Sequence, residues 1–334
     1  RMGGSEVELR ALLSACIDCA RRAAGEIHAV VDAADDGSSG AEGTGLVVAV
    51  ENKLAGKGGW DPLTEADIRA QKLIVSLLSH RWPKLAIVGE EDGCDEATAC
   101  KDFAKEQLEE SILDISIVSE EQIPEHLRRV DLERLCLFVD PLDGTKEFTK
   151  GNYDAVQTLI GIAFDGRPVA GVMHVPFHAT KDTAERGYLG STVYGIVGGG
   201  CHGLEDFEPV NRPDGLVVTT SASRGSATLA GILQALKPCS FLRCGGAGNK
   251  FMHVLRGAAD VYVFPDPYTS LWDTCAGEAC LLAKYPGGKV TDCAKGDLLQ
   301  YRKGLDTNNK HGILATIEDH DKYLRIAQDV ASKL

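Results

Sequence analysis

The sequence predicts a mixed α/β (α+β) protein, with helices and a strand meander first and alternating strands and helices after them. Three observations predict this. Two long stretches keep apolar residues at helical spacing. Between residues 155 and 204, short apolar runs follow one another across glycine-rich breaks, as antiparallel strands do. From residue 216 onward, strand-length and helix-length runs alternate, which is the pattern of layered α/β structure. A chain of 334 residues suggests about two domains, and the change of pattern places them at 6–212 and 213–334.

The first helix is predicted over 6–33, where Leu9, Leu12, Leu13, Cys16, Ile17, Ala20, Ala24, Ile27 and Val31 share one face. A Gly/Ser break at 37–45 precedes a strand at 46–50 and a Gly/Lys-rich loop at 53–60. A second amphipathic helix follows at 65–81. A short strand at 84–88 runs into Gly89-Glu90-Glu91-Asp92. The acidic stretch 92–130 reads as a helical insertion, with Pro124 opening a short helix. The apolar run 135–139 is a strand that ends on Asp140. Strands 156–164 and 169–175 flank Asp165-Gly166, a hairpin signal, and 187–189, 192–197 and 200–204 continue the meander. The second half reads as strand 216–220, helix 225–237, strand 240–244, helix 248–256, strand 260–264, helix 272–284, strands 288–291 and 312–316, and helix 319–333.

Composition narrows the function. A net charge of −14 repels nucleic-acid polymers, so no such partner is expected. No apolar run approaches the roughly 20 residues of a membrane helix, so no membrane partner is expected either. No secretory signal precedes the first helix, and the short polar segment Arg1–Ser5 is left out of the fold reading. The 11 cysteines show no metal-ligand spacing. Cys16-Ile-Asp-Cys19 lies mid-helix without a second pair and reads as free thiols. Free thiols in this number fit a reducing compartment and a cytoplasmic location.

Four acidic clusters fall at strand ends or helix starts: Asp61-Pro-Leu-Thr64-Glu-Ala-Asp67, Gly89-Glu90-Glu91-Asp92, Asp140-Pro-Leu-Asp143-Gly-Thr145 and Trp272-Asp273-Thr274. The third is the most informative. Pro141 turns the chain, bringing Asp143 back beside Asp140. Two carboxylates so close repel unless a cation lies between them. Asp-rich turns also cap helices, but several such clusters at strand ends point to hard oxygen ligands for Mg²⁺.

These motifs, in this order, resemble the lithium-sensitive, magnesium-dependent phosphatases that include inositol monophosphatase, fructose-1,6-bisphosphatase and the 3′(2′),5′-bisphosphate nucleotidases. The resemblance spans about residues 6–330. It is strongest to the nucleotidase branch through Asp140–Phe148, Gly245-Gly-Ala-Gly-Asn-Lys250 and Trp272-Asp-Thr-Cys-Ala276. It implies the αβαβα sandwich of the sugar-phosphatase type. It also implies that Glu90, Asp140 and the Leu142 carbonyl hold one Mg²⁺, that Asp140, Asp143 and Asp273 hold a second, and that a third can bind near Glu90. Asp61 and Thr145 would activate the attacking water, while Thr64 and Asp67 fix their loop and cap the helix at 65–81.

Ser221, Arg224, Gly246 and Lys250 would contact the substrate, with the Gly-rich run 245–250 cradling a phosphate. Two positions depart from the family pattern: Arg224 stands where relatives usually carry His, and Gly277 where they usually carry Pro. The expected reaction is hydrolysis of the 3′(2′)-phosphate of adenosine 3′,5′-bisphosphate (PAP) to AMP, with 3′-phosphoadenosine 5′-phosphosulfate (PAPS) as a second substrate. The same chemistry on an inositol bisphosphate, or a non-catalytic sensor on the same scaffold, are the rival readings. Tyr268 reads as a packed or exposed loop aromatic, with a place in the pocket lining as the alternative.

Overall fold

Alternation of side chains along the strands decides how the layers stack. In the computed structural model, which describes residues 6–35, 49–53, 62–91, 111–178, 180, 189–223 and 225–333, the edges are tied by two small ladders. Strand β1 (Glu6–Glu8) pairs with β5 (Arg129–Asp131), and β2 (Glu51–Asn52) with β3 (Pro62–Leu63). Helix α1 (Leu9–Asp35) therefore starts three residues later than its periodicity suggests, because 6–8 are drawn into the first ladder. Helix α2 (Glu65–Arg81) keeps its expected bounds.

Strands β4 (Ala86–Gly89), β6 (Leu135–Asp143), β7 (Gln157–Phe164), β8 (Arg167–Val175), β9 (Ser191–Ile196) and β10 (Gly200–His202) form one sheet in the order β10-β9-β8-β7-β6-β4. Only the β4–β6 pair is parallel. Asp165 and Gly166 both have positive φ, 51° and 82°, as the two-residue hairpin turn requires. Leu135, Leu137, Val139, Ile160, Ile162, Ala170 and Val172 face α1 and α2, while Cys136, Phe138, Leu159, Ala163 and Met173 face the opposite side.

Helix α3 (Thr145–Phe148) follows β6 directly. The second sheet holds β11 (Val217–Ser221), β12 (Ser240–Cys244), β13 (Val261–Phe264), β14 (Lys289–Asp292) and β15 (Ile313–Thr316), in the order β12-β11-β13-β15-β14. Helices α4 (Ala227–Leu236), α5 (Ala247–Leu255), α6 (Leu271–Lys284) and α7 (His320–Ala331) connect and flank it. Val218, Val261, Val263 and Leu314 pack against α4 and α7. Tyr262, Phe264, Ile313 and Ala315 face inward onto α5 and α6. The layers are thus α1/α2, the first sheet, α5/α6, the second sheet and α4/α7: the αβαβα sandwich.

Helix α6 lies close against the first sheet because three glycines make room for it. Gly161, Gly171 and Gly195 stand side by side on β7, β8 and β9. A Cβ on each would come within 2.4 Å of the Cys275 side chain, 2.5 Å of the Ala276 carbonyl and 2.5 Å of the Cys280 Cα, respectively. Side chains at these positions would push the helix off the sheet.

Several expectations change. The strand read at 135–139 continues to Asp143, with a bulge between Asp140 and Asp143 that lets three steps on β6 oppose two on β7. Pro141 sits in that irregular stretch, where its missing N–H removes no ladder bond. The insertion at 92–130 is described from 111 onward. Pro124 opens a 3₁₀ turn, Glu125–Leu127, and another spans Glu120–Gln122. Of the strand expected at 46–50, residues 46–48 lie outside the described residues, and 49–50 are not in a strand. Of 187–189, only Leu189 is described, and it is not in a strand.

Candidate active site

Three carboxylates, two of them buried (Asp140 and Asp143) and one half-buried (Asp273), meet where the layers converge. Asp140 ends the regular part of β6, Asp143 follows the bulge, and Asp273 lies in the first turn of α6. Each offers an oxygen, and these oxygens all lie within 4.8 Å of one another. Local bonds hold them there. Asp140 Oδ1 accepts from the Leu142 N–H at 3.1 Å. Asp273 accepts from the Ser270 N–H in a reciprocal capping box. Asp143 accepts from the first N–H groups of α5, Ala247 and Gly248, both at 2.7 Å.

The parallel partner β4 brings in Glu90, whose N–H bonds the Val139 carbonyl at 3.0 Å. Its side chain pairs with Lys53 at 2.8 Å, and Lys53 also pairs with Glu91 at 2.7 Å. Glu91 is fixed by Gln71, which accepts from its N–H and donates to its carbonyl. Burial and then Glu90 push the Glu91 carboxyl up to about 8. Lys53, read from sequence only as part of a loop, is thus a cation at the rim of the acidic cluster.

Thr145 stands at the start of α3. Its hydroxyl lies 3.1 Å from the Leu142 carbonyl and 3.0 Å from Asp67 Oδ1. The other Asp67 oxygen accepts from the Thr64 N–H and hydroxyl at 2.8 and 2.5 Å. Asp67 therefore caps α2, as expected, and also holds Thr145, which was not expected. Asp61, expected as the partner of Thr145, lies outside the described residues. Burial, partly opposed by Thr64, raises the Asp67 carboxyl to about 6.

The Gly-rich run changes role. The Ala247 and Gly248 N–H groups are bonded to Asp143, so they are not an open phosphate cradle. Gly246 (φ 73°) is needed by close approach, since a Cβ there would meet Asp143 Oδ2 at 2.8 Å and the Ala155 carbonyl at 3.0 Å. Lys250 is buried, donates to the Gly246 carbonyl and lies 5.6 Å from the centre of the Tyr262 ring. Burial lowers its pKa, while nearby Cys244, Asp143 and Asp273 act to raise it.

Glu90, Asp140, Asp143 and Asp273, with Lys53, Thr145 and Lys250, line one cavity of about 510 Å³ that also contains Ser221, Gly246 and Lys146. Tyr268, with Phe264 and Pro267, forms an apolar part of its wall. Tyr268 is thus a pocket residue and more than half exposed, at 58%. Arg224 lies outside the described residues.

Burial raises Asp140 and Asp273 well above the usual carboxylate range. Glu90 and Asp143 add to this for Asp140, and Asp143 and Glu90 for Asp273. Asp143 is also raised by burial, while Lys250 and the two α5 N–H groups pull it back. Such a cluster is stable in its ionised form only with added positive charge. The donors are all hard oxygens, as Mg²⁺ requires. The acidic cluster and the Leu142 carbonyl on the cavity wall therefore fit a divalent cation.

Comparison with known proteins agrees. The model of the inositol monophosphatase family matches residues 8–332. The chain is 37% identical over 274 residues to 3′(2′),5′-bisphosphate nucleotidase 1 of Dictyostelium discoideum, covering 80% of this chain and 86% of that protein. It is 37% identical over 276 residues to the human protein of the same name, covering 82% and 85%. Among solved structures, the extragenic suppressor protein suhB of Bartonella henselae superposes with a TM-score of 0.62 at 20% identity, covering 95% and 98%. An inositol monophosphatase from Anabaena gives 0.59 at 20% identity, covering 96% of each chain. Among the described residues no helix is long and apolar enough to cross a membrane. With its five layers and its converging carboxylates, the chain belongs to the inositol monophosphatase family.

Proposed function

We propose that the chain is a Mg²⁺-dependent phosphomonoesterase that converts adenosine 3′,5′-bisphosphate to AMP and phosphate, accepts the 5′-phosphosulfate relative, and is inhibited by lithium. The observation that carries this reading is the convergence of Asp140, Asp143 and Asp273 in one cavity that Thr145 and Lys250 also line.

Asp140, Asp143, Asp273, Glu90 and the Leu142 carbonyl would hold two Mg²⁺ ions, with room for a third beside Glu90. When bound, the ions neutralise phosphoryl charge and make water a better nucleophile near neutral pH. The Thr145 hydroxyl, held between Asp67 and the Leu142 carbonyl, orients the attacking water. Asp67 holds that hydroxyl, and Asp61 acts with Thr145 to activate the attacking water, the carboxylate taking its proton. Lys250 attracts a substrate phosphate, Ser221 and Gly246 line its path, and Arg224 remains a proposed substrate contact. The names of the curated relatives support a nucleotide substrate, and the apolar wall at Phe264, Pro267 and Tyr268 suits a planar base.

The test is phosphate release from a panel of adenosine bisphosphate, the phosphosulfate and inositol bisphosphates under saturating Mg²⁺. The highest kcat/KM is expected on the adenosine compounds. A higher value on an inositol bisphosphate would reverse the substrate assignment, and no release from any of them would end the enzymatic reading.

A further inference from the structure

Tyr262 lies at the centre of β13 and points inward to α5 and α6. It is fully buried, and its ring meets Phe251 edge-on, with centroids 5.3 Å apart at 89°. Its hydroxyl has no hydrogen-bond partner among the described residues. Other buried side-chain atoms share that property, including those of Gln157, His174 and Asp266, but of these residues only Tyr262 lines the cavity. An unpaired buried hydroxyl is costly, and on a well-packed ring it calls for a partner that the chain itself does not supply.

The surroundings say what that partner is. Lys250 Nζ lies 5.6 Å from the ring centre, and the phenol feels the charges of Asp273 and Asp143. Burial, reinforced by those carboxylates, holds its pKa well above the usual phenol range. A phenol is un-ionised near neutral pH in any case, so the group is a hydrogen-bond donor. A phosphate drawn to Lys250 presents acceptor oxygens in this same part of the cavity.

The geometry points to Tyr262 as a substrate-binding residue whose hydroxyl donates a hydrogen bond to a phosphate oxygen held against Lys250. This rests on the phosphatase reading above. It also adds a contact on the second sheet that no sequence motif marked, because Val261-Tyr-Val-Phe264 reads as an ordinary buried strand.

The substitution Tyr262→Phe tests it with two readouts. Because the hydroxyl is unpaired in the free protein, the melting temperature without ligand should not fall. Binding of inorganic phosphate in the presence of Mg²⁺, measured by calorimetry, should weaken about tenfold, as expected for loss of a hydrogen bond to a charged acceptor. KM for the bisphosphate should rise by a similar factor. Unchanged phosphate affinity and KM would overturn the assignment. So would a clear drop in the melting temperature of the free variant, which would mean that the hydroxyl already has a partner inside the protein. If the unmodified protein hydrolyses no bisphosphate yet the variant still loses phosphate affinity, the enzymatic reading falls and the Tyr262 assignment stands.

Discussion

Two sets of acids, each with a member on α6, are treated in opposite ways. Glu278 is fully buried, yet it pairs with Arg167 and accepts from the Tyr301 hydroxyl at 2.7 Å, while Tyr301 also bonds Thr274 at 3.2 Å. Little more than a helical turn away, Asp273 joins Asp140 and Asp143, where Lys250, a cation of the same cavity, is itself buried and bonded to a carbonyl. The first arrangement completes its own charge and serves the fold. The second leaves negative charge in excess, the property of a site built for an external cation. Burial alone does not separate a structural acid from a functional one; the count of partners does.

The strongest way to break this contrast is Asp140→Asn. It should lower kcat by about 10³-fold or more, by removing a cation ligand. It should also leave the cation-free protein as stable as before or more so, because a repulsive charge is gone. Thermal melts with and without Mg²⁺, run beside the assay, check both. A variant that melts much lower without cation would place Asp140 with Glu278 as a structural acid.

Next in size is Glu278→Ala. Arg167 and Tyr301 lose their partner, so stability should fall by about 3 kcal/mol, softened because Arg167 is partly exposed. Turnover per folded molecule should stay within about threefold, because no cavity group is removed. Denaturant unfolding together with kcat at low temperature measures this, and a large kcat loss in folded protein would blur the distinction.

The smallest effect concerns pH. The folded-state values of Asp67 and Glu91, about 6 and about 8, lie above their ordinary carboxyl values. Their contribution to stability is therefore full at low pH and lost as pH rises through those values. On the proposed function, Mg²⁺ would bind the ionised form of the cluster. The melting-temperature gap between Mg²⁺ and EDTA samples should widen by a few degrees from pH 5.5 to 8. A gap that does not change with pH would contradict the assignment of excess charge to the site.

Much of this was legible in the sequence. The bounds of α2 and β12, the Asp165-Gly166 hairpin and the positions of Glu90, Asp140, Asp143 and Asp273 at strand or helix ends all follow from periodicity and turn chemistry. What stayed hidden depended on tertiary register. Asp67 reads as a helix cap, and only the placement of α2 against β6 brings it to Thr145 as well. The Gly245–Lys250 run has the composition of an anion cradle, yet its helix start receives Asp143, a residue about 100 positions earlier. Tyr262 sits in an apolar strand pattern, and nothing in that pattern distinguishes a ring that only packs from one that also borders the cavity with an unpaired hydroxyl.

The row formed by Gly161, Gly171 and Gly195 gives the site a built-in gauge. Because α6 rests on bare main chain, the distance from Asp273 to Asp140 is set by backbone thickness rather than by the fit of interchangeable apolar groups. Core residues elsewhere can drift in size without disturbing the reactive geometry. A single added methyl on that row reaches the chemistry without touching the cavity, so the functional footprint of the enzyme extends through the sheet to its far strand.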